Sequence, residues 1–228
     1  MLPSASPISP VVEPSAVRAK EFSLRRFSSI VPQALVIAAS TGGTQALLTF
    51  LAGVSDYLSR LPVFIVLHVQ ASFTASIVTQ IQATTRLDVR VPQHGEGPKP
   101  GELYLAPGSM HMRLLRMGDM PVICHADGPP ENFCKPSADV LFRSAAQTYG
   151  GATLGVVLTG MGCDGLAGSR AIVEAGGSVV VQDEATSVVW GMPGAVALEG
   201  LAAAVQPIEK LGQTVASLIL RANARGAT

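Results

Sequence analysis

The sequence predicts an α/β protein, doubly wound around a mostly parallel sheet with an antiparallel β-hairpin excursion. Three observations predict it. From Gln33 onward, short uncharged apolar runs of strand length alternate with amphipathic stretches of helix length, as when strands are buried on both faces by their crossover helices. Between Leu87 and Ala126 that alternation gives way to short runs broken by Gly and Pro, which suit antiparallel strands or hairpins better than helices. After Ser137 the alternation of helix and strand resumes.

In order, ALVIAAS (34–40) reads as a buried strand, GTQALLTFLAGV (43–54) as a helix and PVFIVLHV (62–69) as a second buried strand. FTASIVTQI then sets Phe73, Ile77 and Ile81 at helical spacing. The runs VRVPQ, GELYLAPG, MHMRLLRM and DMPVICHA form the expected antiparallel excursion. SADVLFRSAAQTYG (137–150) follows Pro136 with Ser137 as N-cap, and ATLGVVLTG (152–160) is the most apolar strand of the chain. DGLAGSRAIVEAGG reads as a helix, SVVVQD as a strand and PGAVALEG as a short helix. Pro207 opens a last helix with Ile208, Leu211, Val215 and Leu218 on one face.

Composition narrows the function. Lys plus Arg number 16 and Asp plus Glu 16, together 14% of 228 residues, below the usual quarter. This balance argues against nucleic acid as a partner. No uncharged apolar run approaches the roughly 18 residues of a membrane-spanning helix, so no membrane insertion is expected. The N-terminal MLPSASPISPVVEP lacks the basic flank and apolar stretch of a signal peptide, so a cytoplasmic location is expected. Residues 1–30, rich in Pro and Ser, read as a linker or tail, with one domain over 31–228. Cys124, Cys134 and Cys163 are odd in number and match neither a disulfide framework nor a zinc cluster. They read as reduced thiols, with no metal site.

In doubly wound sheets, ligands and reacting groups collect at the carboxyl ends of the strands. Three of those endings carry chemistry: Ser40-Thr41-Gly42-Gly43, His68-Val69-Gln70, and Thr159-Gly160-Met161-Gly162-Cys163-Asp164-Gly165. A hydroxyl, an imidazole and a carboxylate meet the needs of nucleophile, base and orienting partner. Gly42 and Gly43 leave the turn without Cβ bulk, so backbone N–H groups can approach a substrate oxygen or a phosphate. Each residue also has a bland role: Ser40 or Asp164 as a helix N-cap, His68 as a polar strand end. Only their joint position favours chemistry. The turn around Ser40 lacks the first Gly of a nucleophile elbow, and the order Ser, His, Asp differs from the α/β-hydrolases. It also lacks the Lys of a phosphate-binding loop and a complete dinucleotide fingerprint. His94, His111 and His125 match no compact metal motif and read as surface or hydrogen-bonding residues.

Taken together, Ser40-Thr41-Gly42-Gly43, His68 followed by Phe73-Thr74, Leu105-Ala106-Pro107-Gly108 with His111-Met112, Lys135-Pro136-Ser137-Ala138-Asp139-Val140-Leu141-Phe142, Leu158-Thr159-Gly160-Met161-Gly162-Cys163-Asp164-Gly165 and Gly191-Met192-Pro193 resemble the catalytic domain of the bacterial chemotaxis methylesterase family, CheB. The resemblance implies Ser40 as nucleophile, His68 as general base and Asp164 as its orienting carboxylate, with Thr41 and Met161 shaping the oxyanion site. It implies hydrolysis of γ-glutamyl methyl esters on the cytoplasmic helices of methylated chemoreceptors, releasing methanol, and deamidation of certain glutamines. It implies no metal or organic cofactor, and a receiver domain, in cis or in trans, as regulatory partner. The chain departs from the family at Val69-Gln70, where Met-Pro is usual, and at Lys135, where Arg is common. A receptor-binding module without catalysis and a small-molecule esterase are the alternatives.

Overall fold

The computed structural model describes residues 22–221. Within them the elements follow as β1 (Ala34–Ala39), α1 (Gly43–Ala52), β2 (Val63–Leu67), α2 (Thr74–Thr85), β3 (Val89–Arg90), β4 (Leu103–Leu105), β5 (His111–Met117), β6 (Met120–Ala126), α3 (Ala138–Tyr149), β7 (Thr153–Val157), α4 (Leu166–Glu174), β8 (Ser178–Gln182), α5 (Gly191–Leu198), β9 (Ala204–Gln206) and α6 (Ile208–Leu220). Seven strands make one sheet in the order β3-β4-β2-β1-β7-β8-β9, and β5-β6 form a separate antiparallel hairpin. Every pairing in the large sheet is parallel.

β1 is buried along its whole length, and its alternate residues serve two cores. Leu35, Ile37 and Ala39 join the apolar cluster that includes Leu47, Phe50 and Leu51 of α1, Ile77 and Ile81 of α2, and Leu211, Val215 and Leu218 of α6. Ala34, Val36 and Ala38 join the opposite cluster, with Met112, Leu114 and Ile123 of the hairpin, Leu141 and Phe142 of α3, Ile172 of α4 and Val196 of α5. This is why the strands read as unbroken apolar runs: each face needs hydrocarbon. A fully buried Leu or Phe stabilises by about 1.5–3 kcal/mol. The last helix buries Ile208, Leu211, Val215 and Leu218, the stripe expected from its period.

The middle of the chain departs from expectation. VRVPQ and GELYLAPG do not join the antiparallel excursion; their cores, β3 and β4, extend the parallel sheet through the pairings Val89↔Leu103 and Val63↔Leu103. Only MHMRLLRM and DMPVICHA form the hairpin. Strands of two and three residues carry too little pattern to reveal the direction of their partners, and both Leu103 and Tyr104 are wholly buried as parallel strands require. β9 was not anticipated, because AVQ is short and only its Ala is buried.

Residues 22–30 carry no helix or strand but lie against the domain: Arg25 N donates to Ala202 O (2.9 Å) and Ser28 N to Ser178 Oγ (2.8 Å), and Phe27 packs on the core. Of the linker or tail expected over residues 1–30, residues 1–21 lie outside the described residues.

The chain enters the sheet at β1, proceeds to β2 on one side, and returns to β7 on the other. Loops leaving adjacent strands therefore diverge at the carboxyl end of β1, the topological switch point where α/β sheets bind ligands.

Candidate active site

Ser40, His68 and Asp164 all lie at this switch point. In the parallel pairing of β1 and β2, Ala39 stands opposite Leu67, so Ser40 and His68 are the next residues on adjacent strands. The His68 amide continues the ladder, donating to Ala39 O at 3.0 Å, while the Ser40 amide donates to Thr159 O at 3.0 Å on the β7 side. Ser40 thus sits between the strand that carries His68 and the one that leads to Asp164. By strand alternation Ser40 continues the face of Val36 and Ala38, and His68 the face of Phe64 and Val66, both on the α3 side.

Asp164 is 1% exposed. His68 Nε2–H donates to its Oδ2 at 2.8 Å. The Ser137 hydroxyl donates to Oδ1 at 2.8 Å, and the amides of Ala138, Asp139 and Gly165 donate at 2.7, 3.0 and 3.1 Å. Burial alone would push this carboxyl up. The hydrogen bond from His68 and those from α3 outweigh it and hold Asp164 below the usual carboxylate range. The positive end of α3 acts in the same direction. Asp164 therefore caps α3 from another loop instead of capping the helix that follows it, whose N-cap is Gly165. Ser137 occupies the predicted N-cap position of α3, but its hydroxyl is given to Asp164.

The α3–α4 contact holds a reciprocal bond. Asp139, also 1% exposed, accepts from Gly168 N of α4 (2.6 Å) and from Asn132 Nδ2 (2.7 Å). Burial, with Asp164 nearby, pushes its carboxyl up to about 6.

Among the described residues, none makes a hydrogen bond to the Ser40 hydroxyl, so Ser40 is brought beside His68 by register without a direct bond. With Nε2 engaged by Asp164, Nδ1 is the ring's acceptor in the neutral form, and the Cys134 thiol faces it at 3.7 Å. Serine does not cap α1 either; the N-cap is Gly42, with φ 76. A Cβ on Gly42 would come within 2.5 Å of Val188 Cγ2, so both conformation and contact demand glycine there. The Gly43 amide donates to Ser40 O at 2.7 Å. It is therefore not available to an oxyanion, contrary to the expectation from sequence, which leaves the turn amides of Thr41 and Gly42. Met161, 74% exposed, begins the loop on the opposite side of Ser40.

Thr159 joins these loops. Its hydroxyl accepts from Val189 N (3.0 Å) and lies 3.0 Å from Thr41 O, while its amide donates to Gln182 Oε1 at 2.8 Å. Gly160 pairs with Trp190, whose indole donates to Gln182 O at 2.8 Å. The loop after β8 thus lines the same edge, as its position after a strand suggested.

Sequence spacing missed one neighbour. Cys134 Sγ lies 3.7 Å from His68 Nδ1 and 3.3 Å from Asn132 O. An open cleft of about 300 Å³ beside it is lined by His68, Val69, Gln70, Gly108, Phe133 and Lys135 together with Cys134. Lys135 pairs with Asp127. Nothing in the spacing of residues 68, 134 and 164 announces their convergence; only the fold does. His111 is hydrogen-bonded as expected, its Nδ1 accepting from Ser137 N (3.1 Å) and its Nε2 donating to Pro129 O (3.0 Å).

A family model described as CheB methylesterase matches residues 35–215. A protein-glutamate methylesterase/protein-glutamine glutaminase of group 2 operon from Rhodopseudomonas palustris is 46% identical over 217 residues, 95% of this chain and 54% of that protein. A protein-glutamate methylesterase/protein-glutamine glutaminase 2 from Caulobacter vibrioides is 47% identical over 187 residues, 81% of this chain and 53% of its own length. The chain spans about half the length of these curated relatives. The crystal structure of the Thermotoga maritima CheB methylesterase catalytic domain superposes with a TM-score of 0.79 at 32% identity, covering 83% of this chain and all of that one. With the family model spanning most of the sheet and both loops that meet at Asp164, the chain belongs to the CheB methylesterase family.

Proposed function

We propose that this chain is a protein-glutamate methylesterase that cleaves γ-glutamyl methyl esters on chemoreceptor helices, with Ser40 as nucleophile, His68 as general base and Asp164 as the carboxylate that orients it. The observation that carries the reading is the 2.8 Å bond from His68 Nε2 to a buried, five-fold hydrogen-bonded Asp164, at the strand end adjacent to Ser40. A carboxylate so held fixes the ring and stabilises the imidazolium, while Nδ1 is left to take the serine proton. That assignment is the mirror of the common one, in which Nδ1 faces the carboxylate.

The chemistry follows from the groups. Ser40 Oγ attacks the ester carbonyl as His68 takes its proton; the tetrahedral oxyanion is met by backbone N–H groups of Thr41, Gly42 and Met161. Collapse expels methanol with the proton from the imidazolium, leaving a glutamyl ester on Ser40. Water, activated by the same ring, then releases the glutamate. Glutamine deamidation takes the same path with ammonia leaving. Acid–base work of this type contributes ~10²–10⁴ in rate and each oxyanion donor ~10²–10³.

The test is methanol release from methylated receptor membranes. Ser40→Ala is expected to lower the rate by on the order of 10⁴ or more, with an unchanged melting temperature because the lost hydroxyl holds nothing in place. Equal rates in variant and wild type remove Ser40 from the mechanism.

A further inference from the structure

Three side chains that offer different ligand atoms converge at one edge of the sheet: His68, Cys134 and Asp164, with those atoms all within 4.8 Å of one another. We propose that this cluster is an inhibitory site for a thiophilic divalent cation of the Zn²⁺ class, bound by Cys134 Sγ and His68 Nδ1, with Asp164 holding the far side of the imidazole. The binding part stands on geometry alone; the inhibitory part rests on the esterase reading, in which Nδ1 is the base.

Zinc bonds of about 2.3 Å to sulfur and 2.0–2.1 Å to nitrogen, at a tetrahedral angle, put the two donors ~3.6 Å apart. Cys134 Sγ and His68 Nδ1 are 3.7 Å apart. The separation of the pair therefore already matches that of two donors on one tetrahedral ion. Metal-bound histidines characteristically donate their other ring N–H to a carboxylate, which fixes the tautomer and raises ligand basicity. His68 already makes that bond, to Asp164 at 2.8 Å. Asp164 is saturated by its own donors, so it serves as this supporting carboxylate and leaves the remaining metal positions to water in the adjoining cleft.

Cys134 is held where it is by a tight turn. Glu131 and Cys134 exchange backbone hydrogen bonds of 3.1 and 2.9 Å, and the residues between them, Asn132 and Phe133, both have positive φ (51 and 62). Neither residue is glycine, so the turn costs backbone energy. Asn132 is tied to Asp139 by its side chain, and Glu131 to Arg143 by two bonds of 2.5 and 2.6 Å. The thiol is thus fixed against the ring instead of swinging in solvent.

Coordination forms Sγ–metal and Nδ1–metal bonds, displaces metal-bound water and releases the thiol proton to solvent; no electron is transferred. It occupies the lone pair that the mechanism assigns to the Ser40 proton. Bound cation and catalysis are then mutually exclusive.

The probe is Co²⁺ added to the purified, reduced chain, followed by its thiolate-to-metal charge-transfer absorption, with Zn²⁺ competition giving the zinc affinity. The band is expected in wild type and in Cys163→Ala, and absent in Cys134→Ala. His68→Asn is expected to weaken binding at least tenfold, which a lone thiolate would not show. In parallel, Zn²⁺ is expected to inhibit methanol release by wild type, with the inhibition constant raised at least tenfold in Cys134→Ala, each variant referred to its own metal-free rate. A band that survives Cys134→Ala, or affinity indifferent to His68→Asn, overturns the site. A band without inhibition of an active enzyme overturns the regulatory role. Absence of esterase activity in the metal-free wild type instead removes the methylesterase reading, while the absorption titration still decides the site.

Discussion

Asp164 Oδ1 accepts the Ser137 hydroxyl at 2.8 Å across 27 residues of sequence, so one carboxylate both caps α3 and holds the His68 ring. In the proposed mechanism stability and chemistry thereby rest on the same group, and two substitutions separate them. Asp164→Ala leaves the amides of Ala138 and Asp139 without an acceptor in a buried site, at a cost of about 1–3 kcal/mol for each unsatisfied group. A large fall in the urea midpoint is expected. Asp164→Asn keeps an acceptor oxygen for α3 but sets an NH₂ group against His68 Nε2 or the Ala138 amide. Its activity is expected to fall by on the order of 10⁴, with much less loss of stability than in the alanine variant. Equal destabilisation of the two would mean that the cap depends on charge and not on the acceptor.

Asp139 predicts a pH dependence of the opposite sign to a salt-bridged carboxylate. Its carboxyl is pushed up to about 6 by burial, from an ordinary 3.8. Between those values the native state holds a proton that the unfolded chain has lost, so stability falls as pH rises. The contribution is fully present below about pH 4 and gone above pH 6, about 3 kcal/mol at its largest. Urea unfolding at pH 4–7 is expected to show a wild-type curve that declines, relative to Asp139→Asn, through this window. Parallel curves would place an ordinary carboxyl at this position.

Long elements and the site's edge were legible in the sequence because they obey local rules. The runs at β1, β2, β7 and β8 are apolar on both faces, and His68 and Asp164 could be singled out as polar endings to such runs. What was not legible depends on contacts distant in sequence. β3 and β4 are too short to announce a parallel partner, and Ser137 reads as the cap of its own helix although its hydroxyl serves Asp164. Cys134 reaches His68 across 66 residues through a turn of two positive-φ residues, neither of them the glycine that would mark it.

Thr159 predicts that the Ser40 turn is held from behind. Thr159→Val keeps the shape but removes the hydroxyl that receives Val189 N and lies beside Thr41 O. A part-buried donor is left unpaired, at a cost toward the lower end of about 1–3 kcal/mol. Loosening of the turn that carries Ser40 is expected to lower turnover by ~10–10², the scale of a misplacement near 1 Å. Thr79→Val, on the exposed face of α2, is the control and should stay within about 0.5 kcal/mol of wild type. A wild-type rate in Thr159→Val would mean that Ser40 is positioned by β1 alone.

Gly160 makes the sharpest steric prediction. A Cβ there would lie 2.4 Å from Met192 Sδ and 2.8 Å from Ser40 Cβ. Met192 is fully buried, but its thioether is a flexible end that can yield; Ser40 sits on backbone tied to Thr159 O and cannot move without breaking that bond. Gly160→Ala is expected to cost about 1–3 kcal/mol by overpacking and to depress turnover by displacing Ser40. Combining it with Met192→Ala gives the added methyl room on one side only. The double variant should then be more stable than the sum of the two single changes predicts, by about 0.5–3 kcal/mol, while turnover stays low. Recovery of turnover along with stability would show that the thioether, and not contact with Ser40, transmits the effect.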